Sequence, residues 1–376
     1  MHVITRIDAY PLAYPEPNYG GRVRYITLVR VETQDGVVGW GEANTRFREA
    51  ALATCVLVHE GFAPLLAGRD PRQVDALWRT MCDHAFWFGV EGIAAFAISA
   101  IDVALWDVRG KLERRPVADL LGQRCRDEVP AMAAIILDMD DLDWTIREFQ
   151  SFRDAGYRAV KGGGGLSPDA LIGDDRDRDL RYLREIRRAI GDELSLVIDI
   201  AAVHGLWDLD TAIARLGEWE EFHLRWVEQP LLPADLDGYA RLRAASATPI
   251  GTGEDEWSPE TYRRLIASGG VDVVQIDPGR CLGLTGCREV ISMVEAAGLR
   301  YSAHSWSSAV NTAASVHALA ISKHGDVIDF KPHESPVQHE LVDDPWIQSD
   351  GLLSVRPLPG LGISVREDAV ERLSLR

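Results

Sequence analysis

The pattern of hydrophobic and polar positions changes character near residue 126 of the chain. Before that point, Arg24–Glu32 and Val37–Glu42 form two strand-like runs joined through a Gln-Asp-Gly turn, which predicts an antiparallel pair. The stretches Ala50–Leu66 and Asp75–Leu121 instead carry apolar residues at helical spacing. Strands followed by helices predict an α+β arrangement for this N-terminal region.

After residue 126, short β-rich runs alternate with charged amphipathic segments such as Asp179–Ile190 and Pro259–Ala267. The predicted strands are Val129–Ile135, Ala159–Lys161, Leu196–Ile200, Arg225–Glu228, Pro249–Gly253, Val273–Ile276, Leu299–Ala303 and Val327–Phe330. Eight strands with intervening helices favour a closed parallel (β/α)8 barrel of the TIM type. An open doubly wound sheet would show the same alternation, so periodicity alone leaves that alternative open.

Composition restricts the possible binding partners more than it restricts the possible folds. The 376 residues carry a formal net charge of −18, which argues against nucleic acid because phosphate contacts need clustered Lys and Arg. The N-terminus has no basic stretch followed by an apolar run, and no segment approaches 18 uninterrupted apolar residues. The five cysteines lack CxxC spacing and indicate reduced thiols. We therefore expect a cytoplasmic protein without a membrane span.

Three carboxylates fall at the C-terminal ends of consecutive predicted strands. Asp199 ends the third run, Glu228 the fourth and Glu254 the fifth. In a parallel barrel these ends converge on the face where active sites lie. One such carboxylate could be a helix cap or an ion-pair partner, but three together would repel one another unless a cation lay between them. Oxygen ligands without Cys or His favour Mg²⁺ over zinc.

The remaining strand ends continue this series. Asp277 ends the sixth run and His304 the seventh, and an Asp beside a His is the arrangement expected of a general base. Lys161 ends the second run and should face the carboxylates from the other side. Asp329 lies in the eighth run and could donate to a substrate oxygen if its pKa were raised.

These motifs resemble the enolase superfamily, and within it the branch similar to mandelate racemase that uses a His-Asp dyad. The resemblance spans nearly the whole chain. Its segments are TLVRVETQDGVVGWGEA at 27–43, SAIDVALWDVRGKLERRPVADLLG at 99–122, and the barrel motifs VEQP, GEDE, QIDPGRCLGLTG and SAHSW. It implies an N-terminal α+β capping domain at 1–125, a modified barrel domain at 126–331, and a C-terminal segment at 332–376 that completes the barrel and packs back on the cap.

The resemblance also implies roles for the strand-end residues. Asp199, Glu228 and Glu254 become Mg²⁺ ligands, and Asp277 with His304 becomes the catalytic dyad. In this family the metal holds a substrate carboxylate while a base removes the adjacent carbon-bound proton. Metal and cationic side chains, here Lys161, then stabilise the enediolate electrostatically.

The chain departs from the family pattern at three places. The second strand usually carries Lys-x-Lys, whereas here Lys161 is followed by Gly162 and Gly163, so the second amine is missing. The metal-binding Asp is commonly followed two places later by Asn or His, whereas Ala201 stands here and His204 lies nearby. The last strand often carries Glu, whereas this chain offers Asp329, or Glu334 as the alternative.

With one base, the natural chemistry is proton abstraction by His304 followed by loss of a β-hydroxyl. We therefore predict a hydro-lyase that dehydrates a sugar acid, either an aldonate or an aldarate. A lactone cycloisomerase would use the same first step, and a racemase or epimerase would need a second base such as His204. A member that binds metal and ligand but has lost catalysis is the remaining alternative.

Substrate specificity is expected to come from loops of the cap, at Tyr14–Arg22 and Asn44–Arg48. The candidates for contact with the distal end of a small carboxylate substrate are Arg22, Arg24, Arg46, His84 and Trp87. His204 and Glu334 are further candidates for substrate contact. The family resemblance also implies a symmetric homo-oligomer.

Overall fold

The computed structural model describes residues 2–201, 205 and 207–375. The cap begins with an antiparallel sheet in the order β1-β2-β3, made of Ile4–Glu16, Arg22–Thr33 and Val38–Arg46. Helices then cover this sheet, namely α1 at Arg48–Val56, α2 at Ala63–Leu66, α3 at Val74–Ala85, α4 at Ile93–Glu113 and α5 at Val117–Leu121. A π-helical turn at Leu57–Phe62 joins α1 and α2.

Strand β1 is absent from the sequence-based prediction, which recognised only β2 and β3. Pro11 and Pro15 lie within β1, and proline lacks the N–H that a central strand must donate. In the sheet β1 pairs with β2 alone, so it is an edge strand, where proline is tolerated.

The α1–α2 region, Arg48–Leu66, is the one stretch in the described residues that is long and apolar enough to cross a membrane. Length and composition are weak evidence, because the core helix of a folded domain passes the same test. Here α1 contacts all three strands of the cap sheet.

The second part of the chain is a closed barrel of eight parallel strands among the described residues. Its strands are β4 at Glu128–Ile136, β5 at Ala159–Gly163, β6 at Ser195–Asp199, β7 at Trp226–Glu228, β8 at Ile250–Thr252, β9 at Val273–Ile276, β10 at Arg300–Ala303 and β11 at Gly325–Phe330. Parallel pairing of β11 with β4 closes the ring, which confirms the barrel over the open sheet.

Seven helices separate the barrel strands in the described ranges. They are α6 at Leu142–Asp154, α7 at Arg176–Ile190, α8 at Leu209–Trp219, α9 at Leu236–Ala245, α10 at Pro259–Ser268, α11 at Gly283–Ala296 and α12 at Ala309–Ala320. The chain after β11 forms a short helical turn at Pro336–Glu340, β12 at Leu352–Ser354 and α13 at Glu367–Leu373. β12 pairs antiparallel with β4, and α13 packs against β1 of the cap.

Two clusters of buried apolar side chains stabilise the barrel. The larger one fills the space between strands and helices and continues into the cap. The smaller one consists of Met132, Ala159, Val197, Trp226, Val273 and Val327, which come from six different strands. Because side chains alternate along a strand, this second cluster occupies the barrel interior. It fills the interior with apolar side chains and leaves the C-terminal strand ends for polar residues.

Candidate active site

A cavity of about 260 Å³ lies where the cap meets the C-terminal ends of the barrel strands. Its lining includes Asn44 and Arg46 from the cap and Lys161, Asp199 and His304 from the barrel. Polar groups converge here because parallel strands present their last residues on one face.

Asp199, Glu228 and Glu254 offer carboxylate oxygens that all lie within 4.8 Å of one another. The sheet register sets Asp199 directly beside Glu228 on the neighbouring strand, and Glu254 follows β8 by two residues. Burial, together with the neighbouring carboxylates, raises the pKa of Glu228 well above its usual range, although Lys161 opposes this effect. The three acids predicted from the sequence are therefore brought together at one point.

The donor set fits a hard divalent cation. All of its atoms are carboxylate oxygens, which Mg²⁺ prefers, and they are close enough to share one ion. Within the described residues, Oε2 of Glu254 is buried without a hydrogen-bond partner. A buried carboxylate oxygen without a donor is costly, and a bound cation would remove that cost.

Lys161 lies among the same carboxylates. Its Nζ donates to Glu228 and, at 3.1 Å, to Oδ2 of Asp329, and it lies 3.4 Å from Oδ2 of Asp199 and 3.9 Å from Oε2 of Glu254. Burial lowers the pKa of Lys161, but these carboxylates outweigh it and hold the pKa well above its usual value. Asp329 accepts a hydrogen bond from Lys161 through Oδ2.

Asp277 and His304 form a hydrogen-bonded pair at the ends of β9 and β10. Nδ1 of His304 lies 2.7 Å from Oδ2 of Asp277, which leaves Nε2 of this cavity-lining residue 3.5 Å from Glu254. Burial lowers the pKa of His304, but Glu254 and Asp277 outweigh it and raise the pKa to about 9. A cation held by Glu254 would offset part of that increase.

Two asparagines that the sequence analysis did not assign to the dyad hold Asp277 in place. Nδ2 of Asn44, from the cap, donates to Oδ2, and Nδ2 of Asn311, from α12, donates to Oδ1, each at 3.0 Å. The backbone N–H of Gly279 also donates to Oδ1 at 2.8 Å. Both residues are distant from Asp277 in sequence, so no local motif could have revealed them.

Gly163 lies against Asp199 rather than opposite an open space. A Cβ atom at residue 163 would lie 2.5 Å from Cβ of Asp199, because the parallel register sets these two residues side by side. From the sequence, Gly163 was notable only for the missing second amine. The structure supplies a reason for the glycine, since a side chain at 163 would displace a candidate metal ligand.

The predicted distal contacts divide into two groups. Arg22, Arg24 and Arg46 line the cavity. His84, Trp87 and Glu334 are not among the lining residues, so our expectation that they face a bound substrate is not supported. His204 lies outside the described residues.

The reasons for those misplacements are local. The ring of His84 packs edge-on against Phe62 and Phe88 within the cap, and Trp87 is 92% exposed just beyond α3. Glu334 is exposed four residues past the end of β11, whereas Asp329 lies within that strand and faces Lys161. Position relative to a strand end therefore decides between the two acids.

The barrel, the cap and the strand-end carboxylates together form a cavity with the donor set of a metal-dependent active site. Residues 144–369 match the family model for the enolase C-terminal domain-like fold, and residues 21–122 match that for the mandelate racemase/muconate lactonizing enzyme N-terminal domain. The chain belongs to the enolase superfamily, in the group of mandelate racemase-like enzymes. This confirms the family expected from the sequence.

Two relatives of similar sequence are enzymes of different kinds, a cycloisomerase and a dehydratase. D-galactarolactone cycloisomerase of Agrobacterium fabrum is 30% identical, over 91% of this chain and 89% of that protein. D-galactonate dehydratase of Xanthomonas oryzae pv. oryzae is also 30% identical, over 98% of this chain and 94% of that protein. Both a dehydratase and a cycloisomerase therefore fit the relatives, as the sequence-based alternatives anticipated.

Two similar solved structures are a cycloisomerase and a racemase. The 3,6-anhydro-D-galactonate cycloisomerase of Zobellia galactanivorans superposes with a TM-score of 0.90 at 28% identity, covering 100% of both chains. A racemase from Streptomyces coelicolor A3(2) with bound magnesium superposes with a TM-score of 0.87 at 25% identity, covering 99% of this chain and 100% of that one.

Proposed function

We propose that this chain is a Mg²⁺-dependent sugar acid dehydratase in which His304 removes the proton next to the substrate carboxylate. The observation that carries the proposal is the hydrogen bond from Nδ1 of His304 to Asp277, which leaves Nε2 as the proton-accepting atom in the cavity. Position 163 carries glycine, so the second strand offers no second amine beyond Lys161 to deliver a proton from the opposite face.

Asp199, Glu228 and Glu254 would hold the Mg²⁺ ion, as their shared geometry allows. When bound, the ion would supply positive charge that stabilises the negative charge developing on the substrate carboxylate. The ammonium of Lys161 adds a second positive charge in the same place, since it already lies among these carboxylates.

The dyad can move one proton in two stages. Nε2 of His304 takes the α-proton, and Asp277, fixed by its amide donors, stabilises the resulting imidazolium. The protonated His304 can then deliver that proton to the departing β-hydroxyl, which leaves as water. The remaining enol rearranges to a 2-keto-3-deoxy acid.

The test is incubation with Mg²⁺ in D2O against a panel of aldonates and aldarates, with keto acid and α-deuterium both measured. We expect keto acid from the wild type and none from His304→Asn, which keeps a hydrogen-bonding side chain without the base. Keto acid formation by His304→Asn at the wild-type rate would contradict the proposal. Deuterium exchange with inversion and without keto acid would indicate a racemase instead.

A lactone cycloisomerase is the second candidate. Two similar proteins named as cycloisomerases, one at 30% identity and one with a TM-score of 0.90, support it. The same His304 step would serve, with the ring oxygen leaving in place of hydroxide. Turnover of sugar lactones without turnover of the open-chain acids would favour this candidate over the dehydratase.

We also propose that the protein is cytoplasmic and a homo-oligomer. The five cysteines are all unbridged in the described residues, which suits a reducing compartment. Phe86, Trp87 and Phe88 are 79%, 92% and 53% exposed, and adjacent exposed aromatic side chains are typical of a protein–protein interface. Light scattering coupled to size-exclusion chromatography would measure the oligomeric state, and a monomer mass would contradict it.

A further inference from the structure

The cavity is strongly divided by charge. Carboxylates occupy its floor at the strand ends, whereas arginines from the cap form the opposite wall. We call Arg22, Arg24 and Arg46 the cap arginines, because they come from β2 and β3. Such a basic wall is informative in a chain with 58 acidic and only 40 basic residues.

The cap arginines are held by neutral groups. Arg22 donates to the hydroxyl of Tyr19 and the carbonyl of Leu166, both at 2.8 Å. The guanidinium of Arg24 lies 4.7 Å from the ring centre of Trp306. Among the residues that the structure describes, no carboxylate lies within 4.0 Å of a cap arginine. Their charges are therefore available to a ligand.

Arg280 provides the contrast within the same cavity. It also lines the wall, but its guanidinium lies 3.6 Å from Asp255 and stacks 3.7 Å from the ring centre of Trp257. Arg280 is thus already neutralised by the protein. An arginine with a purely structural role in the cavity would be expected to have a carboxylate partner within the protein, as Arg280 does.

The cap arginines also affect one another. Burial and the positive charge of Arg24 together lower the pKa of Arg46. Nε of Arg24 is buried without a hydrogen-bond partner in the described part of the chain. Glu254 and Asp255 raise the pKa of Arg46, but burial and Arg24 outweigh them. Two neighbouring guanidinium groups and a buried donor without a partner are costly, and an anion between them would reduce both penalties.

We propose that the cap arginines form a second anion site for the end of the substrate distal to the reacting carboxylate. The substrate would then be a dianion, such as a six-carbon aldarate or an acid with a distal phosphate ester, rather than an aldonate. This inference rests on the proposed function in one respect only. It takes the reacting carboxylate to lie at the cation that Asp199, Glu228 and Glu254 would hold.

The test measures binding without turnover. Mg²⁺-loaded His304→Asn is titrated calorimetrically with two matched series, galactonate against galactarate, and gluconate against glucarate and 6-phosphogluconate. Within a series the compounds share their hydroxyl configuration and differ only at the distal carbon. We expect a dianion to bind about tenfold or more tightly than its monoanion in at least one series. The carboxylate and phosphate arms distinguish the two sources of the distal charge.

Arg24→Met and Arg46→Met should each remove most of that advantage, with a clearly smaller loss of affinity for the monoanion than for the dianion. Arg188→Met is the matched control, because this side chain is 81% exposed on α7 and its removal changes the net charge equally. Equal binding of monoanion and dianion, no binding of either, or an equal loss for both in the variants would overturn the inference.

Turnover of the same compounds by the wild type tests the proposed function separately. Keto acid from monoanions and dianions alike, with no difference in affinity, would retain the dehydratase and reject the second anion site. Tight dianion binding without keto acid or deuterium exchange would support the second anion site and reject the dehydratase.

Discussion

Alanine at position 163 would bring its methyl group too close to Cβ of Asp199, the carbon that bears the carboxylate. The added Cβ would be 2.5 Å from Cβ of Asp199, whereas carbon atoms in contact are normally about 3.5–4.0 Å apart. Relief requires a shift of roughly 1 Å between the two strands or in the Asp199 side chain. Mg²⁺ demands near-ideal geometry with oxygen at about 2.0–2.1 Å, so a shift of this size removes one ligand from productive distance.

We therefore expect Gly163→Ala to weaken Mg²⁺ binding by about tenfold to a hundredfold, the loss typical of disturbed ligand orientation. Overpacking should also lower the free energy of unfolding by about 1–3 kcal/mol. Calorimetric titration of the EDTA-treated protein with Mg²⁺ measures the first effect. Thermal or urea unfolding measures the second.

Gly217→Ala is the matched control for this substitution. Gly217 lies in α8, and nothing lies within 4 Å of the Cβ that alanine would add. The control should leave Mg²⁺ binding unchanged and raise the unfolding free energy by about 0.5–1 kcal/mol. Wild-type Mg²⁺ affinity in a folded Gly163→Ala protein would refute the reasoning. The same contact predicts that Gly163→Lys disrupts the site rather than supplying a second base.

Three further predictions concern groups around the cavity. Asn311→Ala should lower kcat about tenfold with KM unchanged, because Asn311 positions Asp277 without lining the cavity, and a change confined to KM would contradict this. Lys331→Met should lower the unfolding free energy by about 3–5 kcal/mol in urea unfolding, because it leaves Glu16 buried without its partner; a loss under 1 kcal/mol would contradict it. Burial raises the pKa of Asp102 from 3.8 to about 7, so its stabilising contribution is complete below pH 3.8 and is lost as pH rises to 7. Asp102→Asn should therefore remove a decline in stability of up to about 1.4 kcal/mol per pH unit across that window, and parallel curves for the two proteins would argue against it.

Local sequence was sufficient for much of the barrel. Strand β9 has the predicted bounds, β4 extends one residue beyond its prediction at each end, and β7 begins one residue later than predicted. Short β-rich runs between amphipathic helices leave little choice of period. The edge strand β1 was missed because its prolines oppose a strand locally. Its pairing with β2, a tertiary contact, decides its conformation.

The sequence by itself determined which residues stand at the strand ends, since strand spacing and residue type are both local. Asp199, Glu228 and Glu254 could be grouped before any coordinates, because parallel strands must end on one face. Only the tertiary structure decided what surrounds them. The amides of Asn44 and Asn311 on Asp277, the contact of Gly163 with Asp199, and the placement of the cap arginines at the cavity all bring together residues far apart in the chain. Some of these contacts depend on how the cap packs on the barrel and others on the register and packing of the barrel's own strands and helices, and no periodicity encodes either.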